Sequence, residues 1–431
     1  MIGNNISADY SWSFTTGSDT NIPSIPTGVK AIPENSQITI SWDMVPEATS
    51  YNIYWSTTSG VTKATGTKIS NVISSYIHTG KINGKAYYYV VTSVNSYGES
   101  GESAEVTETP VSDISLPKTG QTSCFDSSGY VIACTGTGQD GEIQAGVTWP
   151  SPRFTDNSDG TVSDNLTGLV WTKDANLMIS RDPGFDADWP AGDGGVTWQH
   201  ALDYVAKLNA EAYLGFTDWR LPNVNELESL VNAGQASTAA WLNTQVFSNV
   251  QSLVLYDYWS STSSANYTDK AWIVGMSDGS MDFNAKFLAG YYVWPVRSGQ
   301  SGLVQLWETG QKTCYSNSGN VIACAGTGQD GDIRAGVAWP SPRFTDNGDG
   351  TVTDDLTGLM WAKDANLMIS RDPRFDADFL AGDDGIVTWQ HALDYIAKLN
   401  SEAYLGYTDW HLPNRKELHS LNDFSQYNQA L

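Results

Sequence analysis

Basic residues are scarce in this chain. Lys and Arg together number 23 against 48 Asp and Glu, a formal net charge of −25. Nucleic acid and anionic lipid surfaces would be repelled by that balance, so neither is expected as a partner, whereas bound calcium is compatible with it. Long apolar runs are also missing. None reaches the ~18 residues that a membrane span requires, so no membrane insertion is expected. Met1 to Tyr10 holds neither a basic region nor an apolar run, so no signal peptide is read there. No Arg-Gly-Asp tripeptide occurs. Cysteine is limited to four residues, Cys124, Cys134, Cys314 and Cys324, in two pairs of identical spacing. An even count in short loops fits disulfides of an exported protein. Zinc is the rival reading, but two thiolates per pair with no His nearby fall short of four ligands.

Aromatic residues, by contrast, are abundant, with 17 Trp and 21 Tyr. At that density they fill small cores and also serve as binding platforms. At 431 residues the chain is too long for one core, and three or four domains are expected. A stretch of about 115 residues occurs twice, from Thr119 to Leu230 and from Thr309 to Leu421. Cys124, Trp149, Asp156 and Trp171 recur 190 positions later as Cys314, Trp339, Asp346 and Trp361. After a one-residue insertion near Asp384, Trp198 and Trp219 recur 191 positions later as Trp389 and Trp410. Only the first copy carries the segment Tyr258 to Arg297.

At the start, Asp9 to Gly17 alternates aromatic and polar residues as a half-buried strand does. It resembles the last strand of a bacterial immunoglobulin-like domain, so residues 1–20 are expected to be the remnant of one. A lone strand does not fold by itself, which implies a fragment of a longer exported protein. From Thr27 to Pro110, strand-like runs such as Gln37 to Trp42, Ser50 to Trp55 and Tyr87 to Asn95 follow at turn-punctuated intervals. Residues 27–110 resemble a fibronectin type III sandwich. Trp42 stands where that family buries its second-strand Trp, and Tyr87 at its tyrosine corner. A rigid spacer is the expected role.

Each repeat opens with a hairpin around Asp126-Ser127-Ser128-Gly129 or its counterpart. A second hairpin turns at Asn157-Ser158-Asp159-Gly160, written Asn347-Gly348-Asp349-Gly350 in copy two. Two helices are expected next. Thr197 caps the first, with Ala201, Leu202, Val205 and Leu208 on one face. Asn223 caps the second and Glu226 completes a capping box, with Leu227, Leu230 and Val231 buried; Asn414 and Glu417 repeat the signal.

Within copy one, Phe154 to Trp171, Asp218-Trp219-Arg220-Leu221-Pro222, Tyr258 to Thr262, Ala271 to Val274 and Trp294 to Ser298 stand in order. This series resembles the domain family that includes the C-terminal domain of the Legionella collagen-like adhesin, in full over residues 117–299 and in part over 304–431. The resemblance implies a C-type-lectin-like fold of hairpins, two helices and a twisted antiparallel sheet. The whole chain is then a multidomain protein, an all-β sandwich followed by α+β modules. It also implies non-enzymatic adhesion at a bacterial surface, with a glycan or a host or neighbour-cell surface protein as partner and oligomers possible. The adhesin is associated with sulfated glycans, but a chain at −25 has no basic surplus to meet a polyanion.

Three acidic loops per repeat are candidate calcium sites, because hard cations take six to eight oxygen ligands. One is Asp156, Asp159 and Asp164, repeated as Asp346, Asp349 and Asp354. Another is Asp182, Asp186 and Asp188, repeated as Asp372, Asp376 and Asp378. The third pairs Asp140 with Glu142, and Asp330 with Asp332. Asx-rich turns need no ion, and Arg181 can pair with a carboxylate beside it. For catalysis, His200 and His391 read as first-turn surface residues. His411 and His419 flank Glu417, but copy one has Arg220 and Glu228 there. Ser260, Ser261 and Ser263 lack a His or a strand-elbow context. Formylglycine-generating relatives of the fold use an active-site cysteine pair, whereas the pairs here sit in the opening hairpins. No nucleophile–base constellation results. The candidate ligand face is Tyr258, Trp259, Asn266, Tyr267, Asp269 and Trp272, rings mixed with short polar groups. If Trp259 and Trp272 are core residues, Asn266, Tyr267 and Asp269 remain as the loop facing a ligand.

Overall fold

The computed structural model describes residues 21–34, 37–82, 85–110, 114–186, 192–252, 257–373, 375 and 386–426. The expected immunoglobulin-like strand lies outside these residues, as do Asp188, Asp376 and Asp378. The chain forms two compact units that divide at Val111.

The first unit is a β-sandwich. Gln37–Ser41 buries Ile38 and Ile40 completely while the residues between them are half-exposed, the period of two that a one-sided strand requires. It pairs with Lys30–Glu34 and Tyr76–Thr79 in one sheet. The facing sheet places Ser50–Ser56 between Thr67–Val72 and Tyr87–Asn95, which also pairs with Gly98–Glu99 and Val106–Glu108. Trp42 packs on Tyr51 with ring centroids 5.2 Å apart. Tyr87 Oη accepts a 3.0 Å hydrogen bond from the Ile82 amide, the corner expected of a fibronectin type III-like domain.

The second unit holds both repeats. The opening hairpins, Cys124–Phe125 with Val131–Ile132 and Cys314–Tyr315 with Val321–Ile322, are closed by Cys124–Cys134 and Cys314–Cys324 disulfides. The next sheet differs between copies. In the first, Phe154–Asp156, Thr161–Asp164 and Leu169–Thr172 are joined by Val296–Ser298 as a fourth strand. In the second, Phe344–Asp346, Thr351–Asp354 and Met360–Ala362 form a three-stranded sheet among the described residues.

The helix Trp198–Ala210 starts where Thr197 Oγ1 accepts from the His200 amide. The helix Val224–Ser229 starts at a complete capping box of Asn223 and Glu226. Trp389–Ser401 and Arg415–Ser420 repeat both, caps included. A short helix Leu177–Arg181, a further helix Thr238–Thr244, and a three-stranded sheet of Tyr258–Ser263, Lys270–Val274 and Met281–Ala285 complete the first copy. Five Trp rings of this copy, Trp171, Trp198, Trp219, Trp259 and Trp294, are essentially fully buried. Each contributes on the order of 4–6 kcal/mol as an upper figure for apolar burial.

The repeats pack together through an approximate two-fold relation. Asn225 of the first copy meets His419 of the second at 2.9 Å, and Glu228 of the first meets Lys416 of the second at 2.8 Å. Asn225 corresponds to Lys416, and Glu228 to His419, so each contact is the image of the other, as in an isologous interface. Leu202 lies beside Gly328, and its counterpart Leu393 beside Gly138, at the same 3.8 Å approach of an added Cβ.

Candidate functional site

The loop between Tyr258–Ser263 and Lys270–Val274 is set by local hydrogen bonds. The Tyr267 amide donates to Ser264 Oγ at 3.2 Å, and the Lys270 amide to Tyr267 O at 2.8 Å. Thr268 Oγ1 reaches Gly319 O of the second repeat's opening hairpin at 2.8 Å, so the loop rests on the neighbouring copy. Beneath it lies Lys286, wholly buried, with Nζ 3.0 Å from Thr268 O and 4.1 Å from the centroid of the Trp198 ring. Burial pushes the Lys286 amine down to about 7. Sequence reasoning missed Lys286, because its burial is tertiary: Trp198 and Thr268 of the first copy and Tyr315 of the second surround its ammonium.

This construction leaves Asn266, Tyr267 and Asp269 exposed. The Tyr267 ring, 46% exposed, lies 5.5 Å from that of Phe283 with the planes tilted by 33°. Lys270 Nζ sits 4.7 Å from the Tyr267 centroid and 5.2 Å from that of Phe283. The result is a small aromatic platform with one cation and two short polar side chains. Tyr258 and Trp259 do not join it. Both have no exposed surface, because Trp259 Nε1 donates to Val196 O at 2.8 Å and Tyr258 packs on Trp294 at 5.4 Å. Trp272 is half-buried between Phe283 and Phe424. Phe283 carried no signal that set it apart from a core strand residue.

The acidic loops are occupied by protein donors. Asp156 pairs with Lys173 at 2.6 Å and accepts from the Ser158 amide, while Asp159 accepts from the Thr161 amide and hydroxyl. Asp164 is buried against Arg153 and also receives the Leu166 amide and Thr167 hydroxyl. The second copy repeats these pairings with Asp346–Lys363, Asp349–Thr351 and Asp354–Arg343. Asp182 is held by Arg181, Lys207 and Tyr204; Asp372 by Arg371, Lys398 and Tyr395. Asp186 accepts the Gly192 and Gly194 amides on one oxygen. Asp140 accepts from Thr119, and Glu142 from the Gly136 and Gly138 amides. Asp140–Ile143 and Asp330–Ile333 are single helical turns. Among the described residues no group of three or more His, Cys, Asp or Glu is placed to hold a metal ion.

The candidate catalytic residues are dispersed. His200 and His391 are partly exposed in the first turns of their helices, each packed at a tilt on a ring, Phe185 at 4.6 Å and Phe375 at 4.7 Å. His411 bonds Glu417 at 3.0 Å, while His419 turns away to the other repeat. Ser260, Ser261 and Ser263 are buried in their strand. No helix among the described residues is long and apolar enough to cross a membrane.

The model of the Lcl C-terminal domain family matches residues 160–297 and 350–431, together about half of the chain. The matches are two copies, the second truncated. An amylopullulanase of Thermoanaerobacter thermohydrosulfuricus is 36% identical over 97 residues, which cover 22% of this chain and 6% of the enzyme. The chain thus spans only a small fraction of that relative. Among solved structures, an Fn3-like protein from Clostridium thermocellum is 33% identical, covering 20% of this chain and 88% of that one, with a TM-score of 0.18. A beta-1,2-glucanase from Parabacteroides distasonis is 24% identical over 21% of this chain and 13% of its own, with a TM-score of 0.19.

Proposed function

The chain belongs to the Lcl C-terminal domain family, and from that premise we propose that it is a non-enzymatic recognition protein of the bacterial exterior, in which a C-type-lectin-like module binds a glycan. The observation that carries this reading is the exposed Tyr267 ring beside half-buried Phe283, flanked by Asn266, Asp269 and Lys270. A sugar ring presents apolar C–H faces to aromatic rings and hydroxyls to short polar groups, so the two kinds of side chain are complementary to it. Two disulfides support an oxidising location outside the cell. The fibronectin type III-like unit serves as a spacer, in keeping with a fold that carries no function by itself. The net charge of −25 speaks against a sulfated ligand and for a neutral one.

Arrays of glycans and matrix proteins probed with the intact chain test this reading. Binding is expected to fall about tenfold or more when Tyr267 and Asp269 are both replaced by Ala, with the melting temperature shifted by no more than about 2 °C, because both side chains are exposed. Binding that survives the double substitution would move recognition away from this loop. A protein ligand in place of a glycan would keep the site and change the partner. No ligand at all would favour a structural repeat of a surface layer or stalk.

A further inference from the structure

The loop that carries Tyr267 belongs to the first repeat, but its supports come from both. Within the first repeat, the Ser264 amide donates to Lys270 O at 3.0 Å and closes the loop at its base. Further ties run to the second repeat. On the strand that leads into the loop, Thr262 Oγ1 donates to Asp330 Oδ2 at 2.8 Å, and the Ser263 amide donates to Gln311 Oε1 at 2.8 Å. Inside the loop, Thr268 Oγ1 donates to Gly319 O at 2.8 Å. Lys286 Nζ spans the gap, donating to Thr268 O at 3.0 Å and, more distantly, to Tyr315 O at 3.5 Å.

The second repeat's share is firmly held. The Gln329 carboxamide fixes both backbone groups of Tyr315, accepting from its amide at 2.9 Å and donating to its carbonyl at 3.0 Å. The Cys314–Cys324 disulfide closes the same hairpin. Its turn holds Gly319 at φ +81°, with the Gly319 amide donating to Ser316 O at 3.0 Å. No side chain fits there. A Cβ would stand 2.6 Å from Thr268 Oγ1 and 2.9 Å from the Asp269 amide nitrogen. Gly129, its counterpart in the first repeat, has φ +82°, yet no atom of the described residues lies within 4 Å of a Cβ built on it. The two glycines share a left-handed turn conformation and differ in what they touch.

We propose that the second repeat's opening hairpin is the floor of the first repeat's recognition site, with Thr268 and Lys286 as the positioning residues that tie the Tyr267 loop to it. The proposal rests on the reading that this loop is the ligand face, and it adds that the site is built by both repeats together. A loose loop must be ordered by its ligand as it binds, and a floor that orders it beforehand removes that cost. Lys286 suits the task because an ammonium carries three N–H donors on a long stem. Its burial leaves it no water to bond in place of the two carbonyls. The effect is mutual by linkage: whatever binds the ordered loop also tightens the docking of the two repeats.

The test compares Gly319→Ala, Thr268→Val and Lys286→Met with two controls, Gly129→Ala and Thr268→Ser, all in the full chain. Hydrogen exchange at the Tyr267 and Lys270 amides, measured without ligand, reports how firmly the loop is held. The first three variants are expected to speed that exchange about tenfold. Gly129→Ala, which strains the equivalent turn away from the loop, and Thr268→Ser, which keeps the hydroxyl, should leave it unchanged. On an array of neutral oligosaccharides and matrix proteins, the first three should lose about tenfold in apparent affinity and the controls none. Exchange unmoved by Gly319→Ala, Thr268→Val and Lys286→Met alike overturns the proposal, whatever the array shows. Faster exchange with affinity retained also overturns it, because the hairpin would then serve stability alone. Faster exchange in a chain whose unaltered form binds nothing on the array supports the floor and refutes the ligand reading of the loop, so the two failures are told apart.

Discussion

Lys416 of the second repeat donates from Nζ to Glu228 Oε2 of the first at 2.8 Å, and both side chains are 3% exposed. Burial pushes the Lys416 amine down to about 8, and Glu228 opposes that push. Arg415 adds a second cation 3.2 Å from the other Glu228 oxygen. The pair joins positions that the duplication made equivalent to Asn225 and His419, whose contact is neutral. Divergence at two positions thus gave the interface one ionic and one polar half.

Lys416→Met is expected to destabilise the second unit by about 3 kcal/mol, because it leaves Glu228 buried with Arg415 alone. Adding Glu228→Met should recover most of that loss, since an apolar pair needs no partner. Urea unfolding of the two variants measures both steps. An unchanged midpoint for Lys416→Met would mean that the repeats do not dock this way in solution.

Two histidines make stability depend on pH in opposite senses. The Glu417 hydrogen bond raises the His411 pKa above its usual 6.5, so its contribution is full below about pH 6.5 and is lost as pH rises through the raised value. His411→Arg, the copy-one residue at Arg220, should flatten that limb, because a guanidinium stays charged. Burial lowers His419 to about 4. The unfolded chain takes up a proton near pH 6.5 while the folded one resists until about 4, so stability falls as pH drops through that window. His419→Gln should flatten the acid limb only. Melting temperatures across pH 4–8 separate the two effects, and a profile unmoved by either substitution would refute both assignments.

Each disulfide closes a loop of sequence separation 10. Chain-entropy reasoning gives roughly 2–3 kcal/mol for such a loop. Replacing Cys124 and Cys134 together by Ser is expected to lower the second unit's stability by about that amount, read by urea unfolding. The first unit, which holds no cysteine, should unfold as before.

Calcium at the Asp156 and Asp346 loops is a proposal that geometry makes demanding, because an ion must displace Lys173 and Lys363. Stabilisation is expected only at concentrations on the order of millimolar. Removing the competing ammonium with Lys173→Met and Lys363→Met should shift the response to lower calcium. If neither protein melts higher with calcium than with EDTA, these loops are turns alone.

The helices and their starts were legible because their signals are local. Thr197, Asn223 and Glu226 satisfy amides within three residues of themselves, so composition and spacing suffice to find them. The fibronectin type III-like strands were legible for the same reason, through the period of two in Gln37–Ser41. The ligand face was read only in part. Tyr258 and Trp259 sit in the same aromatic-rich segment as Tyr267, and composition does not tell a ring that packs inward from one that points out. Strand register and the cover over each face decide that.

What the sequence determined by itself is the duplication, the caps, the cysteine pairing and the acidic balance of charge. These follow from residue identity and short spacing. Only the tertiary structure decided how the acidic loops are used, since Arg153 reaches Asp164 in the next strand of a hairpin and Lys173 reaches Asp156 from across the sheet. Tertiary structure also turned a repeat in sequence into a two-fold pair in space. Asn225 and His419 lie 194 positions apart, and their contact depends on two surfaces meeting that neither repeat's local pattern encodes.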